Sequence, residues 1–129
     1  MREFTHETAI IPEKLPFKRG KNVYIGKGVQ FIGKGLIEIG DYTAIAWESI
    51  LISDNHDWRN DINKTIEAPI KIGSGCWIGS RCVILGNVII GNNCIVGAGS
   101  VLRGKFPDNS LILGNPAKIV KKNIRVGVK

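Results

Sequence analysis

IEAPIK IGSGCW IGSRCV ILGNVI IGNNCI VGAGSV, residues 66–101, reads as six consecutive sixes. The first position is Ile or Val every time: Ile66, Ile72, Ile78, Ile84, Ile90 and Val96. The second is Gly four times, at Gly73, Gly79, Gly91 and Gly97. The fifth is small or apolar: Ile70, Cys76, Cys82, Val88, Cys94 and Ser100. A helix repeats near 3.6 residues and a strand every two, so neither alone makes a period of six. A short strand followed by a turn does. The pattern predicts an all-β solenoid in which position one points inward with bulk. Position two takes turn conformations that glycine reaches readily. Position five points inward near a corner. Each strand pairs in parallel with its equivalent one coil along, about 4.8 Å away.

Upstream the beat is looser. IGKGVQ starts at Ile25, IGKGL at Ile32 and IGDYTA at Ile39, with a one-residue slip at each of the last two. IAWESI at Ile45 and LISDNH at Leu51 then keep step. Residues 54–65, DNHDWRNDINKT, carry no inward apolar positions, and Ile66 resumes 15 residues after Leu51, which is not a multiple of six. The segment therefore leaves the coil as a loop, and solenoid insertions commonly sit on a binding face. Residues 1–22, interrupted by Pro12 and Pro16, read as a lead-in arm that caps the first coil. Residues 23–120 read as the coil, its last irregular turn bracketed by Pro107 and Pro116, and residues 121–129 as a basic tail.

The 129 residues suffice for one domain. No apolar run reaches the ~18 residues of a membrane span, and MREFTHETAI lacks the apolar core of a signal peptide. The expectation is a cytoplasmic protein. The formal charge is +7, from 18 Lys+Arg against 11 Asp+Glu. No zinc-finger spacing or recognition-helix pattern supports nucleic acid, and an anionic cofactor suits the charge as well. Cys76, Cys82 and Cys94 all occupy position five, which makes them core residues rather than metal ligands or nucleophiles. If three sixes make one coil, Cys76 and Cys94 stack on adjacent coils, and free thiols are expected in a reducing compartment.

There are two histidines. His6 lies in the lead-in arm and reads as solvated. His56 lies in the loop that breaks the beat, beside Asp54, Asn55, Asp57 and Trp58. An imidazole titrates near about 6.5 in water, so it can take a proton from a hydroxyl at neutral pH. A hydroxyl needs such a base to attack a thioester. The far ring nitrogen must then be held, by a backbone carbonyl or by a carboxylate among Asp54, Asp57 and Glu48.

The six-residue run resembles the hexapeptide-repeat acyltransferase family, whose fold is a left-handed parallel β-helix with three sixes to a triangular coil. SDNHDW, Trp77-Ile78-Gly79 and the ending VGAGSVLRGKFPDNSLILGNPAKIV resemble its sugar and maltose O-acetyltransferase branch. The resemblance spans roughly residues 23–120. It implies acetyl-CoA as co-substrate, direct transfer to a sugar hydroxyl, and His56 as general base. Asp54, Asn55 and Trp58 would then face the acceptor. It also implies that Trp77 and Ser80 lie beside the cofactor, that the pantetheine arm runs along Gly97, Ala98 and Gly99, and that basic groups meet its phosphates. Here Arg103-Gly104-Lys105 stands where the branch has Thr-Lys, and Lys118 and Lys121 match its terminal basic positions. The resemblance further implies a homotrimer, with His56 from one subunit and much of the cofactor groove from its neighbour, and no metal. Three rivals share the coil: N-acyltransfer to an amino-sugar, a γ-type carbonic anhydrase and a non-catalytic scaffold. The second needs three zinc-binding histidines, and this chain has two.

Overall fold

A computed structural model describes residues 3–127 of the chain. Met1 and Arg2 of the expected lead-in, and Val128 and Lys129 of the expected tail, lie outside the described residues. The fold is a left-handed parallel β-helix with no helix among the described residues. Its three faces are parallel sheets that repeat once per rung. Face one stacks Phe4–Thr5, Tyr24–Ile25, Ala44–Ile45, Trp77–Ile78, Ile95–Val96 and Leu111–Gly114. Face two stacks Gln30–Ile32, Ile50–Ile52, Val83–Ile84 and Val101–Leu102. Face three stacks Phe17–Arg19, Ile37–Ile39, Ile70–Ile72, Ile89–Ile90 and Lys105–Phe106.

Registers are in step from rung to rung: Ile45 lies beside Ile78, Ile78 beside Val96, and Ile72 beside Ile90. Position one therefore builds a continuous interior. Ile72, Ile78, Ile84, Ile90 and Val96 are all buried, with Phe31, Leu51, Leu102 and Ile112 filling equivalent places. Removing such apolar area from water stabilises by roughly 25 cal/mol per Å².

Position two is glycine for a different reason from the one expected. Gly73, Gly79, Gly91 and Gly97 are absent from the positive-φ residues. The constraint is close approach between rungs. A Cβ on Gly73 would collide with the Asn92 side chain, and one on Gly91 with Asp108. On Gly79 it would come within 2.7 Å of the Ala98 nitrogen. The left-handed conformation sits at position four instead: Gly75, Arg81, Asn87, Asn93 and Gly99 have φ of 69°, 56°, 66°, 56° and 74°.

Position five is small because it serves the corners. Corner carbonyls turn out of the sheet ladders and need donors. Thr43 Oγ1 donates to the Gly73 carbonyl at 2.6 Å, Ser49 Oγ to Gly79 at 2.8 Å, Cys76 Sγ to Gly91 at 3.1 Å and Cys82 Sγ to Gly97 at 3.2 Å. The three cysteines are buried free thiols. The contact with Cys94, followed by burial, keeps the Cys76 thiol protonated. Burial likewise pushes the Cys82 thiol up.

The ends differ from the sequence reading. The lead-in segment is itself the first rung: Phe4 pairs with Tyr24, Ile10 bridges Gln30, and Phe17 pairs with Ile37. Its irregular spacing and Pro12 and Pro16 hid the beat, yet Leu15 is buried in the core. At the other end Ala117–Lys121 folds back antiparallel on Leu111–Gly114, so Lys121 belongs to a strand that covers the open edge of face one. Ile66 also departs from expectation. It is 52% exposed and belongs to the hairpin described next, and the inward run restarts at the buried Ala68 and Ile70.

Candidate active site

Face two passes to face three at a corner that every rung but one turns briefly. On the third rung the chain leaves at Ser53 and returns at Ala68, whose N–H donates to the Ser53 carbonyl at 2.7 Å. Between them Asp54–Asp57 and Asp61–Glu67 form an antiparallel hairpin. The excursion is longer and more ordered than the loop expected over residues 54–65. Its polar residues pair with each other because there is no interior left for them to fill. Asp54 holds the root, its Oδ1 accepting the Lys34 N–H at 2.7 Å. Asp57 holds the tip, accepting from the Asn60 side-chain amide at 3.1 Å.

His56 is exposed on the hairpin, opposite Thr65. Its Nδ1 lies 2.8 Å from the Ile62 carbonyl oxygen. A carbonyl only accepts, so Nδ1 carries the proton. The neutral ring then presents Nε2 with a free lone pair, which is the form a general base needs. The far nitrogen is thus held by the backbone. The carboxylates are engaged elsewhere: Asp54 with the Lys34 N–H of the coil, Asp57 within the hairpin, and Glu48 with Arg81 at 3.3 Å.

His56 opens onto a cleft of ≈ 660 Å³. Asn55, Trp58 and Arg59 line it from the hairpin, Leu85 and Gly86 from the coil one rung on, and Arg103 from two rungs on. The Arg59 guanidinium stacks on the Trp58 ring, 4.8 Å from its centroid. Asp54 does not line the cleft. Arg103 joins it because the face-two to face-three corner of the fifth rung lies above the hairpin.

The other expected contacts gather at a different corner, between faces one and two. Trp77 is 48% exposed and, with Ser80, lines a hollow of ≈ 390 Å³ that also takes in Tyr24, Ala46 and Trp47. One rung on, Gly97 and exposed Ala98 extend the same edge, with Gly99 open above. Lys118, opposite Leu113, and Lys121, opposite Leu111, flank its C-terminal end. Lys105 belongs to neither place: it points from face three into a shallow hollow shared with Lys71 and Ile89. Within one chain, then, His56 and Arg103 stand on one edge of the prism and Trp77, Ser80, Gly97 and Ala98 on another.

The bacterial transferase hexapeptide (six repeats) pattern matches residues 69–104, the regular run of rungs. Along that run the chain resembles the hexapeptide-repeat transferases. Among relatives of this family, the galactoside O-acetyltransferase of Escherichia coli K12 is 31% identical over 126 residues. That match covers 90% of this chain and 62% of the relative, so the chain spans about six-tenths of the relative's length. A hexapeptide-repeat acetyltransferase of Vibrio cholerae, solved with acetyl coenzyme A, superposes with a TM-score of 0.78 at 27% identity, covering 93% of this chain and 70% of that one. A maltose O-acetyltransferase of Clostridium difficile 630 gives 0.78 at 26%, covering 92% and 68%.

The hexapeptide pattern alone did not point to Tyr24, Trp47, Arg59 or the Ile62 carbonyl. Trp47 stands at position three of its six and Trp77 at position six. Ile45 and Ile78 are in register, so Trp77, just before position one, and Trp47, just after it on the rung below, meet in one hollow.

Proposed function

We propose that the protein is an acetyl-CoA-dependent O-acetyltransferase that modifies a hydroxyl of a sugar or glycan precursor, with His56 as general base. The observation that carries this reading is the bond from His56 Nδ1 to the Ile62 carbonyl, which leaves Nε2 free on a residue that lines the cleft. The acceptor hydroxyl gives its proton to Nε2 as its oxygen attacks the thioester carbonyl. The C–S bond then breaks, and coenzyme A leaves as the thiolate, which takes a proton back. No covalent enzyme intermediate is required, since the buried thiols donate to corner carbonyls and have no route to substrate.

The acyl donor is assigned to the edge between faces one and two. Small residues fit a narrow pantetheine chain there: Ala98 is exposed and its neighbour Gly99 has nothing near its missing Cβ. Trp77 and Ser80 would flank the thioester end. Lys118 and Lys121 lie about two to three rungs away, roughly 10–14 Å along the coil, where phosphates would reach. Arg103 adds a cation at the other edge.

Because the two edges lie apart in one chain, a complete site requires a second copy. The outward positions of face two support this. Ile32, Ile50, Ile52, Val83 and Val101, with Gln30 at one end, form a mainly aliphatic surface, whereas face three presents Lys18, Glu38, Lys71 and Lys105 around Ile89. A contiguous aliphatic sheet face favours burial against a partner. A homotrimer with parallel coil axes would bring the His56 edge of one copy against the Trp77 edge of the next. Thiol release from acetyl-CoA, measured against sugar hydroxyl and amino-sugar acceptors, tests the activity. Transfer to amine acceptors alone would replace O- by N-acylation, and no transfer to either would refute the reading.

A further inference from the structure

We propose that Trp47, backed by Tyr24, is the platform on which the acceptor's sugar ring stacks; this rests on the acetyltransfer reading and specifies its acceptor subsite. Trp47 is 54% exposed in the hollow between faces one and two. Its indole is nevertheless seated. A Cβ on Gly26, one rung below, would lie 2.8 Å from Trp47 Cδ1, so the ring edge rests on bare backbone. The Lys27 ammonium lies 5.9 Å from the ring centroid, and a large aromatic seated in this way is pre-organised to bind.

The residues beside it differ from the glycines that hold the same corner on the neighbouring rungs. Position four at this corner is glycine on the second rung, Gly28 with φ 70°, and on the fifth, Gly99 with φ 74°. On the two rungs between, Glu48 and Arg81 take the same left-handed conformation, at φ 62° and 56°. A left-handed non-glycine residue costs roughly 1 kcal/mol, and such strain clusters at functional sites. What the substitution provides is an exposed carboxylate and guanidinium, paired at 3.3 Å, on the rim of the aromatic hollow. A pyranose ring has an apolar C–H face and an equatorial belt of hydroxyls. An aromatic floor with charged hydrogen-bonding groups at its edge matches both.

Height along the coil separates this subsite from the acyl donor. Trp77, Ser80 and Ala98 belong to the fourth and fifth rungs, and Tyr24 and Trp47 to the second and third. The hairpin carrying His56 also leaves on the third rung. Rotation about a threefold axis parallel to the coil leaves height unchanged. The partner subunit's His56 hairpin would therefore stand level with Trp47, just beyond the thioester end.

The test compares wild type, Trp47→Ala and Trp47→Phe with acetyl-CoA as donor and methyl β-galactopyranoside or maltose as acceptor. Trp47→Ala is expected to raise the acceptor KM about tenfold or more, equivalent to ~1.4 kcal/mol. The KM for acetyl-CoA and the oligomeric state should stay constant, and Trp47→Phe should recover most of the loss. An unmoved acceptor KM, a raised KM for acetyl-CoA instead, or dissociation into monomers would overturn the platform. If wild type releases no thiol with any acceptor, the acetyltransfer reading fails separately. The platform is then read by fluorescence in a Trp58→Phe/Trp77→Phe background, where Trp47 alone reports. Quenching by either sugar supports it, and none with both overturns it.

Discussion

Replacing His56 by asparagine separates base chemistry from hairpin architecture. The imidazole makes one described hydrogen bond, from Nδ1 to the Ile62 carbonyl at 2.8 Å, and is otherwise exposed. An asparagine amide can donate to the same carbonyl but offers no basic nitrogen in place of Nε2. A neutral hydrogen bond of this kind contributes about 1 kcal/mol, so even its complete loss leaves the coil folded. A positioned general base contributes about 10²–10⁴-fold. At ~1.36 kcal/mol per tenfold, the barrier should rise by roughly 2.7–5.5 kcal/mol. The expected result for His56→Asn is a kcat lower by that factor, with both KM values within about twofold and an unchanged unfolding midpoint. Stopped assays of thiol release, acceptor titrations and thermal unfolding by circular dichroism supply the three readouts. A variant that keeps kcat within about tenfold would refute the base assignment. One that loses activity only through a raised KM would make His56 a binding residue.

The coil itself gives further expectations. Gly91→Ala should destabilise by about 2–4 kcal/mol in urea unfolding, because the new methyl would collide with Asp108 and break the Asn92 N–H to Asp108 Oδ1 bond of 2.7 Å. Gly99→Ala, in open space at φ 74°, should cost only about 1 kcal/mol, and the reverse ranking would contradict the close-approach account. Cys76→Ser keeps a donor to the Gly91 carbonyl and should be nearly neutral, whereas Cys76→Val should cost about 1–3 kcal/mol by the same measurement. Val83→Asp places a carboxylate in the middle of the aliphatic face two; sedimentation should show monomers, and transfer should vanish with the trimer. A monomeric variant with full activity would exclude a shared site.

Much of this was legible in the order of residues, and the limits have physical causes. Residues 72–101 gave rungs and inward positions directly, because position one must be bulky and the strands are too short to slip. Position-two glycine was legible as a pattern but not as a mechanism: the clash that excludes a side chain lies on the next rung, and only stacking reveals it. The first rung was missed because Ile11, Leu15 and Phe17 pack on the interior without glycine corners, with prolines beside the turns instead. Ile66 continued the beat by coincidence, being the outer residue of a hairpin strand that happens to end near a rung start. His56 was singled out because a polar insertion in a regular solenoid stands out. The Ile62 carbonyl that orients it could not be found, since every residue carries a carbonyl and only the hairpin's fold chooses among them.

A solenoid this regular leaves chemistry few places to reside. Inward positions are filled, and outward positions on flat faces lack concavity, so a site must come from departures: an insertion, a corner with an unusual residue, or a second copy. Each departure here lies near the same height. The hairpin leaves on the third rung, Trp47 sits on the third, and the Glu48–Arg81 pair beside it spans the third and fourth. Irregularities scattered by drift would have no reason to share a level. Yet they occupy two edges of one prism, too far around the coil to act together within a chain. Rotation about an axis parallel to the coil preserves level while exchanging edges, so the placement of these exceptions is itself an argument for a site completed between copies.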